Sequence, residues 1–312
     1  MNGLKKLFVF GLCVGLTQMS SAFAADGAAK KNPTIGVVMN NLSTEYTANL
    51  AEAIESYAKG LGVKIIMNDG MGSADKQTSQ IETLIAQKVD AVILQPIEAD
   101  AMSPSVKKLQ AAGVPIVNVN SITTAQPDAY VGSRDEEAGS IAISYLAKKL
   151  GDKGDIVMMH GHPGQSAEVQ RTDGAKEELK KHPNLKLIAE QTAEWNRNQA
   201  MNLMQNWLSA HQGKIAGVFA QNDEMAMGAL KALENAGLAK KIPVVGVDGI
   251  KDAIAAVAKG RLDATILQDA KGQGQSSVDI ALKIINKEKH DANVYVPFTL
   301  ITKENVASVG GK

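Results

Sequence analysis

The stretch "IAGVFAQNDEMAMGALKALENAG", residues 215–237, carries one complete structural unit. Its first six residues form a short apolar run, the mark of a buried strand. From Asp223 to Ala236 the apolar residues recur at helical spacing. Between them stand Gln221 and Asn222, and Asn222 is placed to cap the helix by accepting a free first-turn amide. Asp223 and Glu224 then read as first-turn residues favoured by the helix dipole. A strand feeding a helix through a polar joint recurs along the whole chain.

Upstream, "TIGVVM" (Thr34–Met39) is a strand and "EYTANLAEAIESYAKGLG" an amphipathic helix closed by Gly60 and Gly62. "VKIIMND", a helix around Gln77–Gln87, "DAVILQP", a helix around Ser103–Ala112, "VPIVNVN" and "DAYVGS" follow. The pattern then restarts with a helix over Glu136–Leu150, "GDIVMMHG", a helix from Ser166 to about Lys181, "NLKLIAEQTA" and a helix over Gln199–Ala210. After the opening unit come "IPVVGVDG", a helix near Asp252–Lys259, "LDATILQD", a helix over Gln273–Asn286 and a single late strand, "VYVPFTLIT". Alternating strands and helices imply α/β units with open parallel sheets covered on both faces. The reading is of two such units, with the chain crossing between them near Ser133, Gln268 and Pro297. One lobe takes residues 33–133 and 269–297, the other 134–268 and 298–312.

The bulk numbers bound the function. The 312 residues are 45% apolar and 21% charged, with 33 basic and 33 acidic side chains. That composition suits a globular protein with a sizeable core, and the balance offers no basic excess for nucleic acid. Residues 1–24 read as a secretory signal peptide: Lys5 and Lys6, an apolar run from Leu7, then Ala22-Phe23-Ala24. The apolar run falls short of the roughly 20 residues a spanning helix needs. Removing residues 1–24 leaves 288 residues, 31 basic against 33 acidic, and takes away the single cysteine, Cys13. An exported chain without thiols has no disulfide framework and no cysteine nucleophile or metal ligand. The expected compartment is the periplasm.

Ligands of open α/β sheets bind beyond the carboxyl ends of the strands. Those ends here, among them "NNLSTEY", "QPIEAD", "NVNSIT", "HGHPGQSAEVQR", "AEWNRN", "AQNDE", "VDGIKD" and "LQDAKG", are rich in Asn, Gln, Asp, Arg and Ser. "GHPGQS" lacks the lysine and spacing of a phosphate loop and reads as a turn. His160 and His162 have no third ligand in sequence, so a cleft-lining role for one of them is preferred to a metal centre. No nucleophile elbow is present, and Asp135, Glu136 and Glu137 read as first-turn residues. Planar amide, carboxylate and guanidinium groups do suit pairs of sugar hydroxyls, and aromatics suit the apolar face of a sugar ring. Trp207 sits at helical spacing and reads as core, whereas Trp195 stands in a polar strand-end loop and reads as a ligand platform.

Four segments, "FAQNDEMAMGALKALENAG", "VVGVDGIKDAIAAVAKGRLDATILQD", "VQRTDGAKE" and "ILQPIEADAM", resemble the ribose-binding-protein type of periplasmic sugar-binding proteins. These are the solute-binding components of ABC importers. The resemblance runs from about Pro33 to Val309. It implies the periplasmic binding protein type I fold: two Rossmann-like lobes joined by three crossovers and closing on one sugar. It also implies a monomer without catalysis, cofactor or metal. The importer's membrane permease subunits are its implied partners, and a chemoreceptor is left open as a second reader.

By the same resemblance Asn222 hydrogen-bonds sugar hydroxyls, Asp248 is the acceptor carboxylate and Arg171 donates to sugar oxygens. Gln268 stands at the hinge strand end, Trp195 stacks on the ring and Tyr46 is the aromatic of the first lobe. Asn40, Glu45 and Asn120 complete the candidate set. Asn120 and Ser121 replace the Asp-Arg pair of the ribose pattern, Thr47 stands where a second aromatic is expected, and Val247 replaces the aromatic before Asp248. Losing a bidentate arginine removes charged hydrogen bonds of about 1.5–3 kcal/mol each. The expected ligand is therefore a monosaccharide or cyclic polyol with an inositol-like polyol favoured. Ribose and an amino sugar paired with Glu45 are the alternatives within the family. An exported carbohydrate-active enzyme is the alternative of another class.

Overall fold

A computed structural model of the chain describes Met1 and residues 32–309. The proposed signal peptide lies outside the described residues. The first run of elements is β1 (Thr34–Met39), α1 (Glu45–Gly60), β2 (Lys64–Asp69), α2 (Ala74–Ala86), β3 (Ala91–Leu94), α3 (Ser103–Ala111), β4 (Ile116–Val119) and β5 (Ala129–Gly132). The second is α4 (Asp135–Leu150), β6 (Gly154–His160), α5 (Ser166–Leu179), β7 (Leu185–Thr192), α6 (Arg197–Ala210), β8 (Ile215–Ala220), α7 (Asp223–Asn235), β9 (Val244–Asp248), α8 (Lys251–Ala258) and β10 (Ala264–Leu267). The chain ends with α9 (Ala270–Ile285), β11 (Asn293–Tyr295), β12 (Thr299–Thr302) and α10 (Val306–Val309).

Two six-stranded sheets form among the described residues, in the orders β11-β5-β4-β3-β1-β2 and β12-β10-β9-β8-β6-β7. Each belongs to one of two α/β lobes. In both, the first strand sits beside the second on one side and the third on the other, so the strand order reverses there. That reversal opens a crevice at the strands' carboxyl ends. β3 is buried at all four residues, as expected of a strand covered on both faces. On one face of the first sheet α2 and α3 bury Ile81, Leu84, Val106 and Leu109 against Val38, Val92 and Ile116. On the other, Leu50 and Ile54 of α1 meet Val278 and Ala281 of α9. In the second lobe α4 and α5 bury Ile143, Leu146 and Ala175 against Ile156, Met158 and Phe219. Trp207 lies in the core on the other face, beside Met204 and Leu233.

Glycines bring α4 and α5 together. A Cβ on Gly139 would lie 2.1 Å from the Arg171 carbonyl oxygen, and one on Gly174 would lie 2.0 Å from that of Glu136. Backbone cannot retreat from such a contact as a flexible side chain can, so the pair sets how Asp135 of α4 meets Arg171 of α5.

The late run "VYVPFTLIT", read as one strand, is two. β11 pairs parallel with β5 in the first sheet, and β12 pairs antiparallel with β10 in the second. Pro297 lies between them and has no N–H to give a ladder. β12 also makes the second sheet mixed rather than wholly parallel. The chain passes between lobes three times: at Ser133 between β5 and α4, at Gln268 between β10 and α9, and between β11 and β12. Ser133 Oγ ties two of these passages by donating to the Val296 carbonyl at 2.7 Å.

Candidate functional site

Between the lobes lies a small cavity, lined almost wholly by residues at strand ends. The first lobe contributes Asn40, Asn41, Thr44, Tyr46 and Thr47 from the β1–α1 joint, Gln95 after β3 and Asn120 after β4. The second contributes Gln165, Ala167 and Arg171 around the start of α5, Trp195 after β7, Asn222 after β8, Asp248 at the end of β9 and Gln268 after β10. The fold thus brings together every candidate residue but Glu45.

Glu45 begins α1, and Tyr46 is the residue that turns inward and is buried. The Glu45 carboxylate instead accepts from Lys251 N of the other lobe at 2.9 Å. It closes the lip of the cleft rather than lining its floor. His160 and His162 also stay outside the cavity. His160 sits between Glu168 and Glu190, and His162 lies 2.7 Å from Glu194 and 3.4 Å from Glu98 of the first lobe. With Ala99 N donating to the Gly164 carbonyl at 3.0 Å, these contacts hold the lobes in a closed arrangement.

Arg171 is buried and committed. Its Nε donates to Asp135 at 2.8 Å, Nη1 to the Gln221 carbonyl at 2.6 Å and Nη2 to Gln268 Oε1 at 3.0 Å. Asp135 does occupy the first turn of α4, but it is 1% exposed and also neutralises this guanidinium. The guanidinium stands 5.7 Å from the Trp195 ring centroid, within cation–π range. Asp223 likewise does more than open a helix. Its carboxylate accepts from Gly249 N at 2.7 Å, Ile250 N at 3.0 Å and Thr265 Oγ1 at 2.7 Å, fixing the turn that follows Asp248. Glu224 pairs with Arg197 at 2.7 Å. Asn222 caps α7 by accepting from Met225 N at 2.9 Å, and its Nδ2 donates to the Trp195 carbonyl at 3.4 Å.

In the first lobe the side chains form a directed chain. Gln95 Nε2 donates to Asn120 Oδ1 at 2.8 Å, and Asn120 Nδ2 to Tyr46 Oη at 3.2 Å. Tyr46 Oη donates to Gln273 Oε1 at 3.0 Å, and Gln273 Nε2 to Ser133 Oγ at 3.1 Å. Polar contacts therefore run unbroken from the cavity to the crossover at Ser133. Two amide atoms of cavity-lining residues are buried without a partner: the acceptor Gln95 Oε1 and the donor Gln268 Nε2. Three lining residues, Asn120 (φ 65°), Trp195 (φ 59°) and Asp248 (φ 124°), hold the left-handed backbone region. Such conformations cost roughly 1–3 kcal/mol each and collect at functional sites.

Burial pushes the Asp248 carboxyl well above the usual carboxylate range; Arg171 opposes the shift, and Asp223 adds to it. Burial also raises Asp223, to about 7, against the hydrogen bonds it accepts. A carboxyl raised in the folded state binds its proton more tightly there than in the unfolded chain. For Asp223 its contribution to stability is thus present below 3.8 and is lost as pH rises towards about 7. Asp248 acts in the same direction. The unfolding free energy of Asp248→Asn should accordingly gain on the parent's between pH 4 and 7, as read by urea titrations at several pH values. A constant difference would contradict it.

Gln95 and Gln165 line the cavity but are absent from the candidate set. The strand-end rule points at Gln95, the first residue after β3. Gln165 sits in "GHPGQS", which carries no sign of anything beyond a turn.

The model of the periplasmic binding protein domain family matches residues 35–289. The chain belongs to that family. A putative rhizopine-binding protein of Rhizobium meliloti is 36% identical over 98% of this chain and 99% of its own length. The ribose import binding protein of Bacillus subtilis is 33% identical over 96% of each chain. Among solved structures, an ABC transporter solute-binding protein of Bacillus halodurans with bound myo-inositol superposes with a TM-score of 0.86. It is 33% identical and covers 91% of this chain and 98% of its own. The family is that of sugar- and polyol-binding components of ABC transporters, and its members here are solute-binding proteins rather than enzymes.

Proposed function

We propose that the protein is the periplasmic binding component of an importer for a cyclic polyol of inositol type, held in the cleft without chemical change. One observation carries this reading: two residues lining the cavity, one from each lobe, carry buried amide atoms without a partner. Gln95 Oε1 of the first lobe lacks a donor, and Gln268 Nε2 of the second lacks an acceptor. A hydroxyl is donor and acceptor together, so a ring carrying several can satisfy both. Asp248 accepts from a pair of hydroxyls, Asn222 and Asn40 add amide contacts, and the Trp195 face packs on ring C–H groups. The myo-inositol in the Bacillus halodurans relative agrees with this choice.

The same groups make closure depend on ligand. Closing on an empty cleft leaves Gln95 Oε1 and Gln268 Nε2 unpaired, at about 1–3 kcal/mol each, and strips water from Asp248. Ligand hydroxyls offset these terms only in the closed state, and only such differential contact shifts an open–closed equilibrium. The lobes of residues 33–133 with 269–297 and 134–268 with 298–312 move as bodies about the three crossovers, and permease subunits read the closed form.

Among the described residues Asp248 is the only carboxylate lining the cavity, which favours binding over acid–base hydrolysis with its two carboxyl groups. With Glu45 at the lip, an amino sugar has only Asp248 to meet. A thermal-shift screen over polyols, monosaccharides and amino sugars tests the reading. Ligand at about 100 times its Kd adds about 2.7 kcal/mol, and myo-inositol should give the largest shift, roughly 5–10 °C for a chain of this size. A screen in which no such compound moves the transition would overturn it.

A further inference from the structure

Gln165 uses both ends of its amide, and the two ends serve different lobes. It is buried just ahead of α5. Its Oε1 accepts from Trp195 Nε1 at 2.7 Å, a contact inside the second lobe. Its Nε2 donates to Ser121 Oγ of the first lobe at 3.0 Å. The next residue, Ser166, accepts from Ile122 N of the first lobe at 2.8 Å. The first contact needs no closure. The others exist only when the lobes meet. Ser121 is also one of the positions at which this chain leaves the ribose pattern.

The indole is a donor only, so one orientation of the Gln165 amide satisfies it, and that orientation presents Nε2 to Ser121. Trp195 is hemmed in elsewhere too. A Cβ on Gly161 would lie 1.8 Å from the indole Cζ2, so glycine leaves the space the ring fills. Its backbone and that of Glu194 hold left-handed conformations, φ 59° and 54°. With its N–H taken by Gln165, the ring has only its carbon surface to offer the cavity.

We infer that Gln165 is a positioning residue that couples lobe closure to the placement of Trp195 against the ligand. Closure forms the Ser121 contact, which holds the amide, and the amide holds the indole. Ring contact and lobe contact then reinforce one another and slow ligand release. The inference deepens the reading of the cleft as a polyol site and rests on it.

The test uses the protein with Trp207→Phe as parent, which leaves Trp195 as the only tryptophan of the two present. In the free protein, Gln165→Met should raise acrylamide quenching of Trp195 about twofold with the circular-dichroism melt unchanged. Gln165→Glu keeps an acceptor for the indole and should restore the parent's quenching. Ser121→Ala should leave the free protein's quenching as it was. With myo-inositol as probe, Gln165→Met and Ser121→Ala should each speed dissociation about tenfold while association stays within about twofold. The double variant should be no faster than the faster single one, as expected of residues in one network. Unchanged quenching in Gln165→Met, or dissociation effects that multiply, would overturn the inference. Should myo-inositol fail to bind the parent, the proposed ligand falls, and quenching in the free protein still decides the role of Gln165.

Discussion

Asp248→Asn should lower affinity for myo-inositol at least hundredfold while the unliganded protein melts no lower than the parent. Among the described residues Asp248 is the one carboxylate lining the cavity, and it is 6% exposed. Two ligand hydroxyls donating to it form charged hydrogen bonds of about 1.5–3 kcal/mol each. Asparagine keeps the shape but replaces one acceptor oxygen by a donor, which confronts a hydroxyl hydrogen. Losing two such bonds corresponds to a factor of about 10² or more in Kd. The fold does not share the loss, because burial already penalises this charge in the protein without ligand. Calorimetric titration and a melting curve on one preparation check both halves. A variant that lost binding and stability together would make Asp248 structural instead.

Asp223→Ala should do the reverse, with stability falling first. Ile250 N and Thr265 Oγ1 lose their acceptor inside the second lobe, and Gly249 N is left with Thr265 Oγ1 at 3.2 Å. Each buried group left without a partner costs about 1–3 kcal/mol. A total near 3–5 kcal/mol should lower the melting temperature by roughly 6–15 °C for a protein of this size. The turn after Asp248 is built on these bonds, so affinity should fall as well, by less than in Asp248→Asn. A melting temperature within about 2 °C of the parent's would show that water replaces the carboxylate.

These two neighbours show what a sequence makes legible. Strands such as "AVIL" and "VVGVD" are buried throughout, so their apolar runs announce a sheet covered on both faces. Asn222 caps α7 through its own side chain, a contact three residues long and therefore visible locally. Asp223 has first-turn chemistry too, but its partners lie 26 to 42 residues on, and nothing near it in sequence announces them. Asp135 is the same case, 36 residues from Arg171. Tyr46 meets Gln273 from 227 residues away, because α9 returns to the first lobe after all of the second but β12 and α10 is built. The sequence places a crossing near Pro297, but the apolar run around it does not show two separate strands, one in each sheet. Glu45 and Tyr46 are adjacent in sequence yet serve the lip and the floor of the cleft, since one helical step turns a side chain by about 100°.

The proposed site for one cyclic polyol or monosaccharide is the cavity between the lobes. Its most direct test is calorimetric titration of the protein with myo-inositol and a panel of monosaccharides, repeated on Asp248→Asn. The predicted result is one saturable site per chain, tightest for myo-inositol and lost in the variant. Saturable binding with the same affinity in Asp248→Asn would place the ligand elsewhere and contradict the account.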